Sequence, residues 1–278
     1  PGPEPEGLRP PPEVRVGRAA FGRSGALRVV QADPGEPVPI PLEWAGGRPE
    51  DAWYRWVPVE GTRGGTASRS LAGRLEAPAE PGIYELEVGV GAGSVRLDAP
   101  RLVVRVPFYR KRGTHLQGYP IGLYPGERGS PPRGYPLPEG FIEVTPANRD
   151  LRLSEHFRLG EFLTKDQVSR WPKYVVLELR LIDKLELVLA DLNAHGVRAE
   201  RMAVMSGYRT PQYNRQGLGR GRAALSRHQY GDAADVWVDN DADGYMDDLN
   251  GDGRRDTRDA RVILAAVEIG RASCRERV

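Results

Sequence analysis

Cysteine is nearly absent: Cys274 is the only one among 278 residues, which excludes a disulfide framework and any cysteine-built metal site. No run of about 18 apolar residues occurs, so the sequence offers no membrane-spanning helix. An excess of one charge is missing too. Lys and Arg number 40 against 38 Asp and Glu, a net charge of +2, which gives no general electrostatic case for nucleic acid or an anionic membrane as partner. The chain opens PGPEPEGLRPPPEV, without an initiator methionine or a charged-then-apolar signal segment. It reads as the start of a mature or fragmentary chain. Histidine is scarce as well, with four residues and none after His228.

What is present suits a globular protein. Hydrophobic residues make up 39% and charged residues 28%, an ordinary balance, and the length suffices for two domains with a sizeable core. Residues 1–12 read as a proline-rich linker. From residue 13 to 108, seven short β-like runs alternate with turn signals: EVRV, ALRVVQA, PVPIPLEWA, AWYRWVPV, GIYELEVGV, SVRLDA and RLVVRVPF. In IYELEVGV, Ile83, Glu85 and Glu87 alternate with Tyr84, Leu86 and Val88, the period of a half-buried strand. The spacing predicts an all-β sandwich, and APAEPGIYELEV resembles the late strands of bacterial immunoglobulin-like modules. Binding or positioning is its expected role, since nothing here has the makings of a catalytic site.

Residues 109–150 are rich in Gly, Pro and Tyr and predict an irregular connector packed through Tyr119, Tyr124, Tyr135 and Phe141. An aromatic surface for glycan is the other reading of that composition. From residue 151 the pattern changes. Leu177, Leu181, Leu185, Val188 and Leu192 form one helical stripe, and Gly196 offers a left-handed stop. RMAVMSGYRTPQYN then reads as a strand turning at Ser206–Gly207, so this half is α+β.

The chemistry-bearing stretch is SRHQYGDAADVWVD. A helix would hold residues seven apart about 10 Å from each other, too far for His228 and Asp235 to meet at one ion. AADVWVD alternates as a strand, with Asp235 and Trp237 on one face. A turn at Gly231 can fold the His228 loop back beside Asp235. Imidazole and carboxylate are both zinc ligands, although a hydrogen-bonded His–Asp couple in a core would look the same.

Two phrases together are more specific. SGYRTPQYN (206–214) followed by SRHQYGDAAD (226–235) resembles the D-alanyl-D-alanine carboxypeptidase (M15-like) family of zinc peptidases, marked by S-G-[YF]-R-[ST] and S-x-H-x-x-G-x-A-x-D. Ser206, Gly207, Tyr208, Arg209, Thr210, Ser226, His228, Gly231, Ala233 and Asp235 match every fixed position. LSEHFRLGEF (153–162) resembles the first segment of one branch. The resemblance spans about residues 151–240. It implies an α+β peptidase domain of the Hedgehog/DD-peptidase type, with His228 and Asp235 as the first two zinc ligands. It also implies that Arg209 is catalytic and faces the substrate carbonyl or carboxylate, while Ser206, Tyr208 and Ser226 bind substrate or orient loops. The family further carries a general-base Glu or Asp just before a third-ligand His, and no histidine follows His228 here.

At Asp239 a second pattern begins. DNDADGYMDDLN (239–250) fits a calcium-loop frame with Asp239, Asp241, Asp243, Gly244, Asp247 and Asn250; DLNGDGRRDTRD (248–259) repeats it with Asp248, Asn250, Asp252, Gly253, Asp256 and Asp259. With the apolar helix ARVILAAVEI behind them, the frames resemble the calcium loops of dockerin-like modules. Neither frame ends in a bidentate Glu. An acidic solvated loop that binds nothing is the alternative.

The last ten residues, IGRASCRERV (269–278), resemble one frame of a short-read sequencing adapter, against the plain alternative of a natural basic tail. On the adapter reading, native sequence stops near Glu268, the peptidase domain, residues 151–268, lacks its third zinc ligand, and the chain as it stands is expected to be incomplete and inactive. The sequence thus predicts a secreted, periplasmic or envelope zinc peptidase that cuts peptidoglycan stem peptides, as a D,D-carboxypeptidase or endopeptidase, with structural calcium. The alternative is a non-catalytic, calcium-stabilised wall-binding protein with a degenerate peptidase fold.

Overall fold

The structure, a computed structural model, describes residues 12–45, 47–59 and 61–275, with side chains described as far as residue 268. The expected linker, apart from Pro12, and the side chains of the adapter-like tail lie outside the described residues. Strands β1 (Val14–Val16), β2 (Val29–Ala32), β3 (Leu42–Trp44), β4 (Ala52–Val59), β5 (Arg69–Ser70), β6 (Gly82–Val90) and β7 (Gly93–Val104) build the first part. Five of them form one sheet in the order β2-β7-β6-β4-β5, and β1 pairs with β3 in a separate two-stranded ribbon. The β2–β7 pairing is parallel and the other pairings are antiparallel.

SVRLDA and RLVVRVPF differ from expectation. SVRLDA and the first four residues of RLVVRVPF run together as the single 12-residue strand β7, because a register shift against Tyr84/Leu86 of β6 keeps both stretches paired to one neighbour.

Alternation decides what each face of the sheet meets. Tyr54, Trp56, Tyr84, Leu86 and Val88 point to one side and are buried with Val14, Val38 and Ile40 in a core of their own. The opposite face is divided. Its lower end carries Val29, Ile83 and Val103, which belong to the same buried cluster as Leu153, Phe157, Val176 and Leu177 of the second half. Its upper end carries Trp53, Arg55, Glu87 and Gly89, paired Trp53 with Gly89 and Arg55 with Glu87.

The second part contains β8 (Val106–Pro107), β9 (His115–Leu116), β10 (Tyr119–Pro120), β11 (Gly140–Val144), β12 (Lys173–Val175), α1 (Leu179–Ala194), β13 (Met202–Ser206), α2 (Pro211–Gln216), β14 (Asp235–Val238) and α3 (Thr257–Arg275). The stretch expected as an irregular connector is more ordered than that: β9 and β10 pair, and β11 is the central strand of the antiparallel sheet β12-β11-β8. Tyr119, Tyr124 and Phe141 are buried in the large core, and Tyr135 packs against it. Helix α1 buries Ile182, Leu185, Val188, Leu189 and Leu192, and the chain leaves it through Gly196 at φ +80°. Helix α3 packs on α1. No helix among the described residues is long and apolar enough to cross a membrane.

Backbone and side-chain bonds stitch the two parts together. The Arg28 amide donates to the Leu153 carbonyl (2.8 Å) and the Glu155 amide to the Ala26 carbonyl (3.1 Å). Asp183 of α1 accepts from the Arg23 amide (3.0 Å), the Ser24 amide (2.9 Å) and the Ser24 hydroxyl (2.6 Å). A shared apolar core with bonded edges predicts one cooperative unfolding unit. Ile83→Ala is expected to lower stability by about 2–5 kcal/mol, with tryptophan fluorescence and far-ultraviolet dichroism losing signal at one urea midpoint. Two separated midpoints in the wild-type chain would contradict this.

Candidate functional site

The two sequence phrases meet because β13 and β14 pair antiparallel, with Met202 opposite Val238 and Ser206 opposite Asp235. A register irregularity between Val204 and Ser206 precedes this last pair, and the chain then passes into the Gly207–Thr210 turn. Thr210 then caps α2, its hydroxyl accepting from the Tyr213 amide at 3.0 Å, with Pro211 at the first helical position.

His228 lies on a 3-10 turn, Arg227–Tyr230, that ends at Gly231 with φ +68°. A Cβ at Gly231 would stand 2.2 Å from the Val176 carbonyl oxygen, so only glycine lets the chain turn this close to the core. The turn returns the backbone to Asp235 at the start of β14. As a result His228 Nε2 stands 3.5 Å from Asp235 Oδ1. His228 Nδ1 is 2.8 Å from the Gly207 carbonyl oxygen, an acceptor, so Nδ1 carries the proton and donates. In the neutral ring Nε2 then holds a lone pair aimed toward Asp235.

Arg209 completes the group. Its Nη2 donates to Asp235 Oδ2 (2.7 Å) and its Nε to Ser206 Oγ (2.8 Å), while its amide donates to the His228 carbonyl (3.0 Å). The guanidinium therefore holds one carboxylate oxygen and leaves the other facing the imidazole. Side-chain exposure is 12% for His228 and 40% for Asp235, so the open side of the pair is the carboxylate side. Arg209 thus grips Asp235, whereas the family resemblance implied that it faces substrate.

Of the other expected site residues, Tyr208 is only 1% exposed. Its hydroxyl bonds the Tyr124 hydroxyl at 2.8 Å, and burial pushes both phenols well above their ordinary range. It braces the turn from the core side. Ser226 begins the 3-10 turn, its carbonyl accepting from the Gln229 amide (3.1 Å), and its hydroxyl makes no capping bond. Sequence reasoning missed two participants, the Gly207 carbonyl that orients His228 and Tyr124, the partner of Tyr208. Gly207 sits in the SGYR phrase, and a Cβ there would stand 2.6 Å from Phe162 Cα. Tyr124 has no local signal, lying 84 residues away.

The donor set fits an edge of a zinc site. Ligand atoms about 2.0–2.1 Å from a tetrahedral zinc stand about 3.3–3.4 Å apart, close to the 3.5 Å between Nε2 and Oδ1. The other histidines have local partners: Nδ1 of His156 meets Glu186 Oε2 at 2.7 Å, that of His195 the Asp191 carbonyl at 2.8 Å, and that of His115 the Thr114 hydroxyl at 3.0 Å. Among the described residues, no third His, Cys, Asp or Glu gathers with the pair. The one three-donor group there is Asp239, Asp241 and Asp247.

That group belongs to the acidic loop, at the far end of β14. Asp239 follows Asp235 by four strand residues, about 13 Å of chain. Asp239 is 1% exposed and accepts from Arg201 Nη1 (2.7 Å) and from the amides of Asp243 (3.0 Å) and Gly244 (3.2 Å). Burial would push its carboxyl up, but these donors hold it below the ordinary range. Asp243 accepts from Arg255 Nη1 at 2.6 Å. In the second frame, Asp248 accepts from the amides of Gly251, Asp252 and Gly253, and Asn250 from that of Asp252. Buried Asp259, in the first turn of α3, accepts from the Leu249, Asn250 and Asp256 amides, and the Asp256 bond leads in holding its carboxyl low. Asp252 and Asp256 pair with Arg258.

With this geometry in view, the comparisons with known proteins are specific. The family model described as Peptidase M15 matches residues 156–249, a segment that holds both phrases and all of the first acidic frame except Asn250. The match supports a peptidase. No curated protein and no solved structure matches the chain.

The glycine turn gives a direct check. Gly231→Ala is expected to cost more than about 2 kcal/mol, since a left-handed alanine alone costs roughly 1–2 and the Val176 carbonyl must also move. Gly219, at φ +75° with nothing within 4 Å of its Cβ position, serves as control. Gly219→Ala should cost only the roughly 1–2 kcal/mol of the left-handed backbone in the same urea titration, and equal losses would refute the close-approach argument.

Proposed function

We propose that this protein is a zinc-dependent peptidase of peptidoglycan stem peptides, a D,D-carboxypeptidase or endopeptidase, working at the cell envelope or outside the cell. The observation that carries the reading is the His228 Nε2 lone pair held 3.5 Å from Asp235 Oδ1 by the Gly207 carbonyl and Arg209. His228 and Asp235 would hold the metal, and the Peptidase M15 match over this segment supports the assignment. When bound, zinc supplies a water of lowered pKa and a Lewis acid for the scissile carbonyl. Arg209 orients the Asp235 carboxylate through Oδ2, and its charge beside the site favours an anionic transition state. The Gly207 carbonyl fixes the His228 tautomer, the part that a second layer of polar groups plays in metal sites.

A second reading follows from one observation: no third donor joins the pair among the described residues. On it, the protein binds the wall without cutting it. Purified muropeptides supplied with zinc separate the two. The peptidase releases free D-alanine or splits cross-links, and His228→Ala abolishes both zinc uptake and product. Wall binding with no product, by a chain that takes up no zinc, supports the second reading.

The acidic loop would take calcium as a structural ion, since Asp239, Asp241 and Asp247 present oxygens within reach of one cation. At about 13 Å of strand from Asp235 it has no part in the chemistry. Protein stripped with EDTA and refilled with zinc alone should melt several degrees below protein given both ions and be cut faster by protease in residues 239–259. A ligand at 100-fold its Kd adds about 2.7 kcal/mol. Identical melting and proteolysis would rule calcium out.

A further inference from the structure

The upper end of the five-stranded sheet's outer face is open among the described residues. There a groove of about 520 Å³ is lined by Asp51, Trp53, Ser68, Arg69, Ser70 and Gly91. Its floor is an indole held in one pose. Trp53 Nε1 donates to the Gly91 carbonyl (3.1 Å), and the ring lies so close to Gly89 that a Cβ there would fall 2.2 Å from a ring carbon. Two atoms of the indole thus lie against the strand, Arg55 stands over the ring with its guanidinium carbon 5.8 Å from the centroid, and the ring enters the groove already ordered. The polar row beside it is also fixed: Arg55 Nε bonds Glu87 Oε2 (2.8 Å) and the Ser94 hydroxyl bonds Glu87 Oε1 (2.7 Å).

We propose that this groove is a sugar-binding site that takes a segment of a neutral polysaccharide chain. A pyranose ring has an apolar C–H face and a rim of hydroxyls that both donate and accept. The groove offers the matching parts, a pinned aromatic surface with serine hydroxyls, a guanidinium and a carboxylate around it. Its two ionic residues, Asp51 and Arg69, have opposite sign, which suits a neutral polyhydroxylated ligand better than an ion. The groove is shallow and lies along the edge strand β5, a shape for a chain passing across rather than for a small molecule enclosed. An ordered ring that is already immobilised gives up little conformational freedom on binding. The site lies on the opposite module from His228 and does not depend on the peptidase reading.

The test is calorimetry with the full chain and three probes: a peptide-free N-acetylglucosamine hexamer, cellohexaose and a free stem tetrapeptide. Binding of a hexasaccharide, weakened at least tenfold by Trp53→Ala and several-fold by Arg69→Ala, supports the site. Preference for the amino-sugar hexamer assigns it to wall glycan, and preference for cellohexaose to an unmodified glucan. Arg69 and its partner Glu76 are both more than half exposed, so Arg69→Ala should leave the melting temperature unchanged and remains informative if Trp53→Ala misfolds. Binding of the tetrapeptide alone, sugar binding unaffected by either variant, or no sugar binding overturns the proposal. Zinc uptake and muropeptide turnover are read separately, so failure of the sugar site leaves the peptidase reading standing.

Discussion

One backbone constraint governs the site: the left-handed turn at Gly231, packed against the Val176 carbonyl with no room for a side chain. The Glu178 amide donates back to the Gly231 carbonyl at 2.9 Å, so the turn is tied to the chain just before α1. This one position converts a seven-residue separation into a 3.5 Å contact between His228 and Asp235. The antiparallel ladder of β13 and β14 supplies the rest, delivering Arg209 and the Gly207 carbonyl to the same pair. The polar groups around the pair hold one another in place. Gly207 fixes the ring, Ser206 holds the guanidinium, and the guanidinium holds the carboxylate.

The first module is no detached appendage. Ile83, Val103 and Val29 enter the same apolar cluster as Phe157 and Leu177, and Asp183 of α1 accepts three bonds from the Arg23–Ser24 loop. A sheet with one end of a face buried in its neighbour and the other end open has a set orientation. Whatever the open end holds is therefore presented at a defined position relative to His228. The acidic loop is likewise fixed at one end of β14 by Arg201 and Asn240, whose side-chain oxygen accepts from the Glu200 amide at 2.8 Å.

Local chemistry was legible in the sequence, and long-range partnership was not. His228, Gly231 and Asp235 could be placed from strand alternation and a glycine at the right offset. The α1 stripe from Leu181 to Leu192 and the Gly196 stop follow the same kind of local rule, although Leu177, expected in that stripe, lies before the helix, which starts at Leu179. The central strand β11 was hidden because GFIEV is short and follows a Gly/Pro-rich stretch, so its strand character comes from pairing with β8 and β12. The run through Pro100 looked like two strands because the register shift that joins them is a property of the neighbour, β6. Tyr208 looked available to substrate within SGYR, yet its hydroxyl is claimed by Tyr124, which no spacing rule connects to it.

The most direct measurement is anomalous diffraction at the zinc edge from crystals of the full chain grown with zinc. The account predicts a peak about 2.0–2.2 Å from both His228 Nε2 and Asp235 Oδ1, with Arg209 still bonded to the other carboxylate oxygen. No peak at the pair, or zinc only among Asp239, Asp241 and Asp247, would contradict it.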